Sequence, residues 1–191
     1  MTDWVSVLTE LIPLALVIAL SPLSIIPAVL VLQSPHARLT GLTFLAGWLL
    51  AITVLTGVFV QLSGLMPQAG HPSTTASWVR IVIGVLLVVF GIYRWANRNH
   101  DAEEPAWMRK LTSVTPARGF VTAAVLAVVN PKVLFMCVAA GLAISTDELP
   151  RAATWASVLC FAVVAGSAVA IPVLTYVAAG ERLDPAMARL G

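Results

Sequence analysis

Between Gly119 and Ile144 the chain runs for 26 residues with one charge, Lys132. An apolar stretch of that length crosses a bilayer, which takes about 20 residues. Inside the hydrocarbon every backbone N–H and C=O must be satisfied within the segment, so such a stretch has to be helical. Four more follow the same rule, giving predicted spans at Val5–Leu32, Leu39–Leu62, Trp78–Trp95, Gly119–Ile144 and Ala152–Ala179. The composition agrees: 59% of residues are hydrophobic and 10% charged, against about 25% charged in soluble domains. The chain therefore reads as an all-α polytopic membrane protein, a single transmembrane domain over residues 1–191. Its start, Met1-Thr2-Asp3-Trp4, has no basic region, and the first apolar run is too long for a cleavable signal.

Sidedness follows from the basic residues. Arg38, Arg94, Arg98, Arg109, Lys110, Arg118, Arg182 and Arg189 fall on one side, and only Arg80 and Arg151 on the other. Cytoplasmic loops carry the excess of Arg and Lys. The expectation is a plasma-membrane protein with its N-terminus outside and its long connector, residues 97–118, in the cytoplasm. Trp78, Trp95, Trp107 and Trp155 fall near span ends, where amphipathic rings sit among the headgroups. The net charge of +2 is too small and dispersed for nucleic-acid binding.

Two spans are interrupted in matching ways. Span one carries Ser21-Pro22-Leu23-Ser24-Ile25-Ile26-Pro27 and span four carries Asn130-Pro131-Lys132. Spans two and five share A-G-x-x-x-A-I, as Ala46-Gly47…Ala51-Ile52 and Ala165-Gly166…Ala170-Ile171. The order of the matches predicts a repeat of three spans, with repeat one at 1–96 and repeat two at 119–191. An odd number of spans per repeat places the halves in opposite orientations. Interrupted helices at corresponding places in inverted repeats point to a transporter's binding site. Gly47, Ala51, Gly166 and Ala170 are assigned to helix packing, since small residues four apart let backbones approach; Gly84 and Gly91 read the same way. Span three lacks its equivalent, and Arg182–Gly191 reads as a loop toward a missing sixth span. Either the chain continues beyond Gly191 or a partner supplies that helix, and continuation is the preferred reading.

The candidate substrate-binding residues are Ser21, Pro22, Ser24, Asn130, Pro131 and Lys132. Prolines free backbone groups at membrane depth, which only protein or a watery cavity can satisfy. The competing reading is a structural kink, with the serines bonding back to the preceding turn. Lys132 is the only charge at depth, and a lysine at mid-membrane costs roughly 2.5–3.5 kcal/mol on insertion scales. All nine acidic residues lie in loops, tails or near span ends, Glu10 being the deepest. A cation exporter or proton relay would place carboxylates in the interior, so this inventory argues against one. Lys132 then bonds carbonyls at the break, meets an anionic headgroup, or loses its proton through burial.

The set Ala19–Pro27, Ser34-Pro35-His36-Ala37-Arg38, Phe44-Leu45-Ala46-Gly47-Trp48 and Asn130-Pro131-Lys132 resembles the GAP (Sap) family of actinobacterial peptidoglycolipid- or sulfolipid-addressing proteins. That family is placed in the lysine-exporter (LysE) superfamily. The resemblance covers essentially the whole chain. It implies a three-plus-three, six-helix fold with Pro-broken helices one and four, and a role in moving cell-envelope glycolipids across the plasma membrane.

The function read from both lines is a membrane exporter that assists translocation of a lipid or similar amphiphile, with its site at the broken helices. Its partners would be that lipid, the membrane, and a second copy or envelope-lipid export machinery. The alternatives are a non-transporting scaffold for that machinery and a small-molecule exporter of the LysE type. A thiol relay would need paired cysteines on the two broken helices, yet Cys137 and Cys160 lie on spans four and five. No nucleophile–base pair, zinc-ligand cluster or phosphate loop stands out, so no enzyme, metal or cofactor is expected. His36, His71 and His100 read as solvated loop residues. In a background lacking Cys137 and Cys160, an Asn99→Cys thiol should stay protected from impermeant maleimide in intact cells while Gly70→Cys reacts. Reversed labelling would overturn the topology.

Overall fold

The structure is a computed structural model that describes residues 4–64, 85, 89, 115–146 and 149–187. Six helices occupy them: α1 (Trp4–Ala19), α2 (Pro22–Val31), α3 (Ala37–Gly64), α4 (Pro116–Val129), α5 (Pro131–Thr146) and α6 (Arg151–Met187). No strand occurs among the described residues. Of the third expected span only Val85 and Val89 are described, both helical and exposed; Gly84, Gly91 and most of the long connector lie outside the described residues.

Length separates the helices into two kinds. α3 over Ala37–Ser63 and α6 over Arg151–Ala179 are each long and apolar enough to cross a membrane alone. α1, with 16 residues, α2 with 10, α4 with 14 and α5 with 16 are each too short, since a span takes about 20. Joined as α1–α2 and α4–α5, each pair has the length and apolarity of one more span, bent by 55° and 72° respectively. The chain is an all-α polytopic membrane protein, and four of the five expected spans fall on these elements.

Each helix buries one stripe. Leu11, Ala15 and Ile18 of α1 and Phe44, Trp48 and Ile52 of α3 recur at three- or four-residue spacing. Val133, Cys137, Ala140 and Ile144 of α5 do the same, as do Val158, Phe161, Ala165, Val169 and Val173 of α6, and all join one core. That spacing puts successive side chains on one helical face. The opposite faces are apolar too: Ile12, Leu16, Leu50, Val54, Val121, Val125, Val163 and Ile171 are exposed. A helix that is hydrophobic all round suits lipid rather than water. Polar side chains turn back on their own backbone, as Thr40 Oγ1 donates to His36 O at 2.9 Å and Thr53 Oγ1 to Leu49 O at 2.8 Å. Such local bonds satisfy a hydroxyl in dry surroundings.

α3 lies along α4 and α5 and also packs on α6; α1 packs on α6 and α5, and α2 on α6 and α3. The α3–α4 seam is a backbone contact. A Cβ on Gly47 would run into the carbonyl oxygen of Phe120, and one on Gly119 would lie 3.0 Å from Thr40 Cγ2. α5 approaches α3 in the same manner, a Cβ on Gly141 falling 2.6 Å from Phe59 Cβ and 3.1 Å from the Val60 nitrogen. Gly166 faces the Leu49 side chain, Ala51 is buried and Ala170 half-buried.

Among the described residues, hydrogen bonds also join distant elements. Thr43 Oγ1, in the second turn of α3, donates to the carbonyl of Pro116 at the start of α4, at 2.7 Å. Trp4 Nε1, at the start of α1, donates to Ser157 Oγ in the second turn of α6, at 3.0 Å. Gly47→Ala should lower stability by about 1–3 kcal/mol, the usual cost of overpacking. Leu50→Ala on the exposed face of the same helix should cost less. Thermal unfolding in detergent reads both, and equal losses would mean that the seam is not close-packed.

Candidate functional site

The site residues fall at the two bends. Leu20 N still donates to Leu16 O at 2.8 Å, but Ser21 N tightens to Ile18 O at 3.2 Å. Ser21 then leaves the helix with φ −82° and ψ 123°, and α2 restarts with Pro22. The residue before a proline is driven out of the α region by the ring, and proline is well placed at a helix start because its missing N–H is not needed there. Ser24 closes the break from the far side. Its N–H donates to Ser21 O at 3.0 Å, and its hydroxyl reaches back six residues to Ile18 O at 3.2 Å. Ser21 and Ser24 are both buried, whereas Pro22 is exposed. The Ser21 side chain makes no capping bond to α2.

The second break repeats the first with different side chains. Asn130 N donates to Leu126 O at 3.1 Å, ending α4. Asn130 is extended, at φ −76° and ψ 109°, and Pro131 opens α5. Here the side chain does cap: Asn130 Oδ1 accepts from Lys132 N at 3.1 Å, while the Asn130 carbonyl accepts from Leu134 N at 3.0 Å. Asparagine is among the strongest N-cap residues for this reason. Asn130, Pro131 and Lys132 are all half-buried. Lys132 therefore stands in the first turn of α5, a helix with no acidic residue in that turn. The amino end of a helix already carries about half a positive charge. Two like charges together are unfavourable until an anion joins them, and helix amino ends bind anions readily.

The residues of each break are gathered locally. No hydrogen bond among the described residues runs from Ser21–Ser24 to Asn130–Lys132. The link between the bent spans is that of α1 packed on α5, so the first half of one bent span lies against the second half of the other. Cys137 is buried and Cys160 half-buried, and both are free thiols. Among the described residues no group of His, Cys, Asp and Glu is placed to hold a metal. The carbonyl of Ile18 is the site member that the sequence alone does not single out. Ser24 is legible as a polar residue beside a proline, but its partner across the break follows only from the bend.

A family model described as "Sap, sulfolipid-1-addressing protein" matches residues 11–191, which takes in both breaks. Neither a curated protein nor a solved structure matches the chain.

Proposed function

We propose a function from one premise: the chain belongs to the Sap, sulfolipid-1-addressing protein family. In this reading the protein moves an anionic cell-envelope lipid across the plasma membrane, and the lipid's headgroup is held at the broken helices. The observation that carries it is the placement of Lys132 in the capped first turn of α5, beside a bend of 72°. The family description names a sulfolipid, and an anionic sulfur–oxygen headgroup is the kind of ligand that a cation and a helix amino end favour together. The acyl chains would stay against the apolar outer faces of the bundle, so only the headgroup has to leave water. A carrier is proposed, not an enzyme.

The inverted repeat and the sidedness belong to the same reading. Residues 1–96 and 119–191 are taken as halves in opposite orientation, with the N-terminus outside and 97–118 cytoplasmic. In support, both bent pairs restart on a proline, and each is followed by a long helix bearing A-G-x-x-x-A-I. The helix packing follows the same exchange: α4 lies along α3, and α1 along α6. The Ser21–Ser24 break is then the counterpart of the Asn130–Lys132 break: Ser24 donates its hydroxyl hydrogen to the Ile18 carbonyl, and the other break supplies the charge.

Lys132→Met should abolish appearance of the sulfated lipid at the cell surface, normalised to protein in the membrane. Insertion itself should ease, because the charge that costs about 2.5–3.5 kcal/mol at depth is gone. Lys132→Arg should retain part of the activity, since charge persists on a head of different geometry. Asn130→Ala should be milder, losing one neutral bond worth about 0.5–1.5 kcal/mol. Export by Lys132→Met at the wild-type level would remove the headgroup site from this reading.

A further inference from the structure

The Trp4–Ser157 and Thr43–Pro116 bonds occupy equivalent places in the proposed repeat. Each ties the first residue of a broken span's first helix to the second turn of the long helix in the other half: Trp4 of α1 to Ser157 of α6, and Pro116 of α4 to Thr43 of α3. If the halves are inverted, the two clasps sit at opposite faces of the membrane. The seams that they close are nevertheless different. At α3–α4, Gly47 meets the Phe120 backbone, and Gly119 meets Thr40 Cγ2 and the Thr40 carbonyl, at 3.0 and 3.2 Å from a built Cβ. α1 brings no glycine to α6. Val7, Leu11, Ala15 and Ile18 of α1 enter the same core as Val158, Ala162 and Ala165 of α6, and α1 packs on α6.

That difference matters in lipid. Acyl chains are as apolar as leucine, so aliphatic side chains exchange protein for lipid at little cost, whereas close backbone packing has no lipid substitute. The α1–α6 seam is therefore the one free to open, with the Trp4–Ser157 bond as its specific hold. The bond is also built to be released. Ser157 Oγ keeps its own donation to Ala153 O at 2.9 Å, so no hydroxyl hydrogen is orphaned when the indole leaves. Trp4 is 46% exposed, and an indole at a membrane interface finds headgroup or water acceptors.

We propose that α1 and α6 form the moving gate of this carrier, latched by Trp4 and Ser157, and that α3 and α4 form its fixed seam. The inference rests on the carrier reading above. By the proposed sidedness the gate opens toward the outside, and α1 swings away carrying the Ser21 end of its break.

The test uses the full chain in nanodiscs, in a Cys160→Ala background with buried Cys137 retained. Spin labels go on exposed sites that leave both clasps intact. Val5→Cys with Leu159→Cys reports on α1–α6, and Leu42→Cys with Val121→Cys on α3–α4. Distances are read by double electron–electron resonance, with sulfated galactosylceramide or its neutral parent in the disc. Sulfated lipid should shift part of the 5/159 distribution to longer distances, the neutral parent should not, and the 42/121 distribution should stay fixed. Trp4→Phe should produce the longer 5/159 population without any sulfated lipid, and Ser157→Ala should do the same. An unshifted 5/159 distance in both variants, or a 42/121 distance that moves with it, would overturn the gate. Opening in the variants with no response to sulfated lipid would support the gate and count against the headgroup site.

Discussion

Backbone groups inside a bilayer have no water to turn to, and the rest of this structure follows from how the two interrupted spans meet that demand. Each proline takes away a donor and pushes the preceding residue into an extended conformation. At the first break the Ile18 carbonyl receives both the Ser21 amide and the Ser24 hydroxyl. At the second, Asn130 uses its amide toward Leu126 and its carbonyl and side chain toward Leu134 and Lys132. Neither bend needs a glycine: no described residue has a positive φ. The bends are stable because short polar side chains stand in for the missing turn, and both serines of the first break are buried.

A bend made this way has a chemical consequence. It presents the amino end of a new helix part-way along a span, where a continuous helix would keep its N–H groups bonded. At α5 that end coincides with Lys132, so charge and helix dipole have the same sign in one place. The arrangement is unfavourable when empty and favourable around an anion. The close glycine seams of α3 with α4 and α5 hold the framework around the second break. α1, by contrast, carries no glycine.

Legibility in the sequence divides by range. The spans and breaks could be read directly, because hydropathy acts over one helix and a proline acts on its immediate neighbours. Span one, Val5–Leu32, splits at Ser21-Pro22, and span four splits at Asn130-Pro131, where the prolines stand. Asn130 is legible as a polar residue at the break, but its cap on Lys132 N shows only in the structure. What the sequence withheld is which helix each small residue faces. Gly47 invites close approach, but nothing near it names Phe120, whose carbonyl it meets. Nothing in the sequence pairs Trp4 with Ser157; only the tertiary packing brings them within 3.0 Å. The matching A-G-x-x-x-A-I segments also meet different surroundings, Gly47 a backbone and Gly166 a leucine side chain. A sequence repeat constrains architecture more tightly than it constrains contacts.

The central claim is that an anionic headgroup sits between the broken helices, and covalent capture tests it without requiring turnover. A sulfated galactosylceramide bearing a photoreactive group next to the sulfate would be irradiated with the purified protein in nanodiscs, and the adducts mapped by mass spectrometry. The account predicts labelling on the peptides carrying Ser21–Ser24 and Asn130–Lys132, competed by unlabelled sulfated lipid but not by neutral galactosylceramide. Adducts confined to the outward faces of α3 and α6, or equal competition by the neutral lipid, would contradict it.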